Sequence, residues 1–348
     1  MREPEHIRRH RTIARLALPV VLAWVLAGTA QARVLAGEQG APGSIVFPVV
    51  GHTHYENDFG DPRGQGSHQG NDILAGWRAP AVAAEAGTVR IYTRSERAGC
   101  MLYLYGRSGA TYLYIHLNND LGPGNDNEGT CTPRIAYAPG LADGQKVRAG
   151  QLVGYVGNSG DADGAPYHLH FELHPGDGDA VSPFRWLKRA EKLLFALPEN
   201  TLERDATAAA TLTLTGTVVK VEPVGEVEPG SAAEGATPGE SEPGAPPPPP
   251  PPPADGRAKP AGDLLTIRVT SVRLSAGGKW KVTRSVTLRV PAGALFERSP
   301  AGKKGKLGLA DLAAGDRVTV TTAPVELSLE TQLARPGVLS AGRILLRG

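Results

Sequence analysis

The chain has 348 residues, with 44 Gly and 30 Pro, 5% aromatic residues and a formal net charge of +2. The length is comfortable for two domains. So much Gly and Pro argues for turns and short strands and against a helical bundle.

The first residues have the three-part layout of a secretory signal peptide. Arg8, Arg9, Arg11 and Arg15 supply positive charge, Leu16 to Ala27 is an apolar run, and Ala30-Gln31-Ala32 offers small residues to an export peptidase. A run of about a dozen residues falls short of the roughly 20 that span a membrane. Residues 1–32 are therefore expected to be removed, leaving a secreted, extracytoplasmic chain with no stable membrane span. They carry five Arg and two Glu, so their loss takes the net charge from +2 to −1. No basic footprint for nucleic acid remains.

From about residue 45 to 188 the chain reads as short strands punctuated by glycine. Val82–Val89, Met101–Tyr105 and Thr111–His116 are strand-like runs. Residues 146–157 read as a tight turn joining two small strands. Pro183–Pro198 has apolar residues at Phe184, Leu187, Ala190 and Leu194, the spacing of a short amphipathic helix. Residues 189–209 then link to a second β-rich unit over 210–348, in which Thr211–Val221, Leu264–Leu274, Val286–Val290 and Val318–Thr321 alternate as strands do and Gly342–Leu346 closes the unit. An insertion over 222–262 is expected to be disordered or semi-rigid. It contains eight consecutive prolines, Pro246–Pro253, which as polyproline II would span roughly 25 Å.

Two cysteines are present, Cys100 and Cys131. In an exported chain this minimal even count fits one disulfide; two buried free thiols are the other reading. No CxxC spacing supports zinc binding by this pair.

Seven histidines lie beyond residue 32, all in the first unit: His52, His54, His68, His116, His168, His170 and His174. His168-Leu169-His170 sits in the apolar run Tyr167–Leu173, and in a strand residues i and i+2 share a face. Paired imidazoles suit a shared metal or a divided catalytic task. His68 and Asp72, at i and i+4, share a face if extended. His68, Asp72 and one of the HxH pair would give zinc three protein ligands and an open fourth position, as in catalytic sites. His116 ends another apolar strand, where a single histidine is ordinarily packed or exposed. His52 and His54 precede the motifs and are not expected at the site. His174 and Glu172 fall on the HxH face; His174 is by default an exposed residue and only weakly a candidate for the rim, and Glu172 is either a contact of His170 or an ordinary solvated acid.

These residues together resemble the lysostaphin-type (LytM-like) zinc endopeptidases of peptidoglycan. That family has, in order, an HxxxD element, a Tyr-x-His-Leu and an HxHFE strand. Here they are His68-Gln69-Gly70-Asn71-Asp72, Tyr114-Ile115-His116-Leu117 and His168-Leu169-His170-Phe171-Glu172, with Gly157-Asn158-Ser159-Gly160 and Phe59-Gly60-Asp61-Pro62-Arg63 alongside. The likeness covers about 45–188. It implies an all-β, antiparallel peptidase domain and one Zn2+ held by His68, Asp72 and His170. His116 and His168 would then act on the water and the scissile carbonyl, and the substrate would be peptidoglycan cross-links or stem peptides. The alternative within the same fold is a non-catalytic wall-binding or amidase-activating protein; the intact residue set argues against it. One departure is the long loop Asn118–Gly140, which reads either as a wall of the groove or as a plain surface loop. The stretch Leu309–Val318 resembles a turn in small OB-like barrels, so the second unit is expected to be an OB-like accessory domain.

Overall fold

The computed structural model describes residues 40–64, 66–124, 127–197, 209–223, 263–299 and 307–348. The segment 1–32 and almost all of the insertion 222–262 lie outside these residues, as does most of the link 189–209.

The chain is mainly β. Seven antiparallel strands form the first sheet, in the order Thr53–His54, Asn71–Ala75, His168–His174, Thr111–Leu117, Gly99–Gly106, Gly87–Ser95, Lys146–Val147. Alternation assigns each side chain to a face. Leu169, Phe171 and Leu173 join Ile73, Tyr112 and Tyr114 in a buried core. His168, His170, Glu172 and His174 therefore share the opposite face. The two strands of the tight turn are Lys146–Val147 and Leu152–Tyr155, and the latter pairs with Pro80–Val82.

In the first unit two expected elements differ. Val82–Val89 is not one strand: Val82 ends Pro80–Val82, and the next strand begins at Gly87. Between them Ala83 and Ala84 are buried, and alanine has little preference for a pleated surface. A Cβ on Gly87 would lie 2.2 Å from the Tyr105 carbonyl oxygen, so this close strand approach needs glycine. The helix of 183–198 stops early, spanning Phe184–Arg189. Leu193 to Leu197 are all buried, which no one-faced helix permits. Instead the chain runs extended, with bridges from Glu191 to Val46 and from Leu197 to Gln151.

The second sheet has six strands, ordered Lys279–Val290, Asp263–Leu274, Leu212–Glu222, Arg317–Thr322, Ala341–Arg347, Leu295–Ser299. Its core includes Leu214, Ile267, Leu288, Val320 and Ile344. A third cluster joins the sheets: Val46, Val82 and Leu152 meet Leu193, Ala196 and Leu333. Beside it the buried Gln332 donates to the carbonyls of Phe195 (3.1 Å) and Gly150 (3.4 Å).

Cys100 and Cys131 form a disulfide across a separation of 31 residues. By loop-closure entropy it contributes about 3–4 kcal/mol. It fastens the loop Asn118–Gly140 to the sheet. No helix among the described residues is long and apolar enough to cross a membrane.

Candidate metal centre

An open cleft of about 630 Å³ lies on the histidine-bearing face, lined by residues that include His68, Asp72, His116, His168 and His170. Three separate stretches converge there. The register sets His170 directly opposite Asp72 on one neighbouring strand and opposite Ile115 on the other, so Asp72 and His170 share a face at adjacent positions. His68 precedes the strand Asn71–Ala75 and is not part of it. The chain reaches His68 through a bend at Gly70, where a Cβ would lie 2.6 Å from the Phe171 carbonyl oxygen and 2.9 Å from His170 Nε2. Gly70→Ala should therefore push the His68 segment off the sheet and lower metal affinity at least tenfold. Zinc titration of that variant checks this; an unchanged affinity would show that the bend has slack.

His116 reaches the cleft by a different route. Strict alternation from Tyr112 and Tyr114 would turn it into the core. Between the pairs Leu102↔Tyr114 and Cys100↔Leu117, however, the strand carries one extra residue, a β-bulge. His116 has φ +61°, a left-handed conformation uncommon outside glycine. The bulge sends Leu117 into the core and leaves His116 on the cleft.

Each of the four histidines has one ring nitrogen tied to a protein oxygen. His68 Nδ1–H donates to the Asp58 carbonyl (2.8 Å), His116 Nδ1–H to that of Ser159 (2.7 Å) and His168 Nδ1–H to that of Pro166 (2.8 Å). His170 Nε2–H donates to Glu172 Oε1 (3.0 Å). We assign these tautomers from the acceptors. The other nitrogen of each ring is thereby turned to the cleft. Arg63 Nη2 is 3.1 Å from His68 Nδ1 but donates to Asp72 Oδ2 at 2.9 Å, leaving Asp72 Oδ1 facing inward.

His68 Nε2, Asp72 Oδ1 and His170 Nδ1 form a triangle with edges of 2.9–3.1 Å. This His/Asp/His group can hold a metal ion. Its edges approach the ~3.3 Å expected between ligands about 2.0–2.1 Å from a tetrahedral zinc. Three electron-pair donors so close need a cation among them. When no metal is bound a proton serves: burial opposes charge on His170, but Asp72 and Glu172 outweigh it and push the imidazole up to about 9. Burial likewise opposes the charge of Asp72, but the hydrogen bond from the protonated His170, with the neighbouring histidines, holds its carboxyl well below the usual range. Metal binding then releases a proton from His170. Two nitrogens and one carboxylate oxygen suit zinc; calcium would want an oxygen cage.

His116 and His168 stand outside the triangle. Their ring centroids are 5.2 Å apart, and that of His116 is 5.9 Å from His170. His168 Nε2 is 3.8 Å from Asp72 Oδ1. Burial, with the nearby His168 and His170, pushes His116 down to about 3, so it is neutral near pH 7.

His174 Nε2–H donates to Glu172 Oε2 (2.7 Å) and its Nδ1–H to the Gly178 carbonyl (2.8 Å); it backs Glu172 and does not line the cleft. His52 and His54 do not line it either, and His54 pairs with Glu56 at 3.4 Å. Among its described residues, the loop Asn118–Gly140 contributes nothing to the cleft lining. Gly129, within that loop, instead accepts from Gly160 N, placing this part of the loop behind the Ser159 turn that holds His116. Sequence reading missed Asp58, Arg97 and Asp161. The last two line the cleft, and Asp161 Oδ1 is 3.8 Å from His116 Nε2. Nothing in their local spacing marks them.

No protein-family model matches the chain. Over 146 residues it is 27% identical to the L-Ala--D-Glu endopeptidase of Bacillus subtilis (strain 168), a stretch making up 39% of this chain and 40% of that protein. The chain thus spans 40% of the length of that curated relative. The catalytic domain of the antimicrobial peptidase lysostaphin from Staphylococcus simulans matches at 22% identity and TM-score 0.30, covering 39% of this chain and 92% of that one. A zinc-containing peptidase from Vibrio cholerae matches at 21% identity and TM-score 0.29, covering 40% and 38%. The chain is mainly β and LytM-like. That likeness to the lysostaphin-type family is carried by the ordered motifs and by the curated relative.

Proposed function

We propose that this chain is a secreted zinc endopeptidase that hydrolyses peptide bonds in peptidoglycan cross-links or stem peptides. The observation that carries the reading is the set of four imidazoles, each anchored through one nitrogen and open to the cleft through the other, with Asp72 completing a three-donor triangle. A chain kept only for binding has no need of two further anchored imidazoles beside a metal triangle.

His68, Asp72 and His170 hold the ion. Zinc supplies Lewis acidity there, polarising the scissile carbonyl. His116 Nε2 and His168 Nε2 are the imidazole nitrogens on the cleft that lie outside the ligand triangle. One takes the proton of the attacking water and passes it to the leaving amine nitrogen as the C–N bond breaks. The other, once protonated at Nε2, donates to the oxygen that gains charge. The carbonyls of Ser159 and Pro166 hold both rings with Nε2 turned to the cleft. The segment 45–188 is the peptidase domain in this reading, and 210–348 is an accessory domain.

Isolated walls of several cross-link types, incubated with the zinc-loaded chain and read by mass spectrometry, test the proposal. The expected products are fragments cut at a peptide bond, with casein left intact. Bound zinc with no wall cleaved would favour an activator instead, and cleaved casein would favour a general protease.

A further inference from the structure

The outer face of the second sheet carries a band of positive charge unrelated to the histidine site. Its pairing builds three rows across five strands. The first runs Lys279–Arg273–Thr213–Thr321–Arg343, the second Lys281–Ser271–Thr215–Thr319–Leu345 and the third Ser285–Arg268–Thr217–Arg317–Arg347. The alternate residues of the same strands fill the core, so these fifteen positions face outward. Seven are Lys or Arg, all exposed, and none is acidic.

Two features separate this band from ordinary surface charge. Arg273 lies directly opposite Lys279, and Arg317 directly opposite Arg347. Like charges so placed weaken a sheet, and here it happens twice on one face. Among the described residues, Arg268, Arg273, Lys279, Lys281 and Arg317 make no ion pair; Arg343 pairs with Glu297. Between the two flanks runs a strip of threonines offering hydroxyl donors. An anionic chain laid across the rows would relieve both repulsive pairs at once.

We infer that this face binds a linear phosphodiester polymer of the polyol-phosphate kind. The recurring cation pairs match recurring phosphates, and the threonines suit the oxygens between them. A nucleic acid fits less well. None of the fifteen positions is aromatic, so the face has no platform for base stacking. The inference is independent of cleavage at the histidine site.

The test uses the full chain and purified poly(glycerol phosphate), with neutral dextran and a thymidine 20-mer as comparisons. Binding is expected at low salt and should weaken more than tenfold by about 300 mM salt. Dextran should not bind, and the oligonucleotide should bind at least tenfold more weakly. The double variant Arg273→Thr with Lys279→Thr should lose tenfold or more in affinity while its Tm rises by about 1–3 °C, because a repulsive pair is gone. A merely structural role for the pair would lower the Tm. Absent or salt-insensitive binding overturns the inference, as does equal binding of the oligonucleotide or unchanged affinity in the variant.

Discussion

His170→Ala should abolish both zinc retention and wall cleavage, whereas His168→Ala should lose cleavage and keep the metal. The two residues sit two apart on one strand face, and geometry divides them. His170 Nδ1 is a vertex of the ligand triangle, 3.0 Å from Asp72 Oδ1 and 2.9 Å from His68 Nε2. Without it two donors remain, too few for a stable zinc site. His168 Nε2 stands 3.8 Å from Asp72 Oδ1, outside the triangle, with its other nitrogen on the Pro166 carbonyl. Its loss should cost about 10²–10⁴-fold in kcat, the range of a positioned proton-transfer group, with close to one zinc per chain still bound. Zinc content and turnover measured on both variants decide this. Metal loss in His168→Ala would refute the division of roles.

Glu172→Ala should weaken zinc binding by about 10–100-fold, although Glu172 touches no position where the ion would sit. Burial opposes the charge of Glu172, but hydrogen bonds from His170 and His174 overcome it and hold its carboxyl down at about 2. The ionised group accepts His170 Nε2–H, fixing the ring so that Nδ1 faces the triangle. Glu172→Gln keeps an oxygen acceptor and should recover part of the affinity. A competition titration against a chromophoric chelator reads both variants. Equal affinity in wild type and Glu172→Ala would mean that packing alone orients His170.

Much of this was legible in the residues. A strand carrying His168-Leu169-His170 must present both imidazoles on one face, because the strand repeat is two residues. The turn joining Lys146–Val147 to Leu152–Tyr155 and the long strands Leu212–Glu222 and Asp263–Leu274 also follow from local pattern, whereas of Lys279–Val290 only the last five residues do. The helix after Pro183 ran too long because Leu194 fitted a helical stripe, while its neighbours were claimed by two cores at once.

Local pattern could not say which member of the HxH pair joins His68 and Asp72. That depends on the register His170↔Asp72, a pairing across 98 residues, and a shift of one residue would turn Asp72 to the other face. Nor could it put His116 on the cleft, since alternation alone would bury it; the bulge does so, and the bulge exists only in the pairing of its strand with Gly99–Gly106. Arg63 and Asp58 reach Asp72 and His68 through folded loops for the same reason. By itself the sequence determined the faces of single strands, because side-chain direction repeats locally. The tertiary structure decided which faces meet, and at what register, because that is settled by burial between segments far apart in the chain.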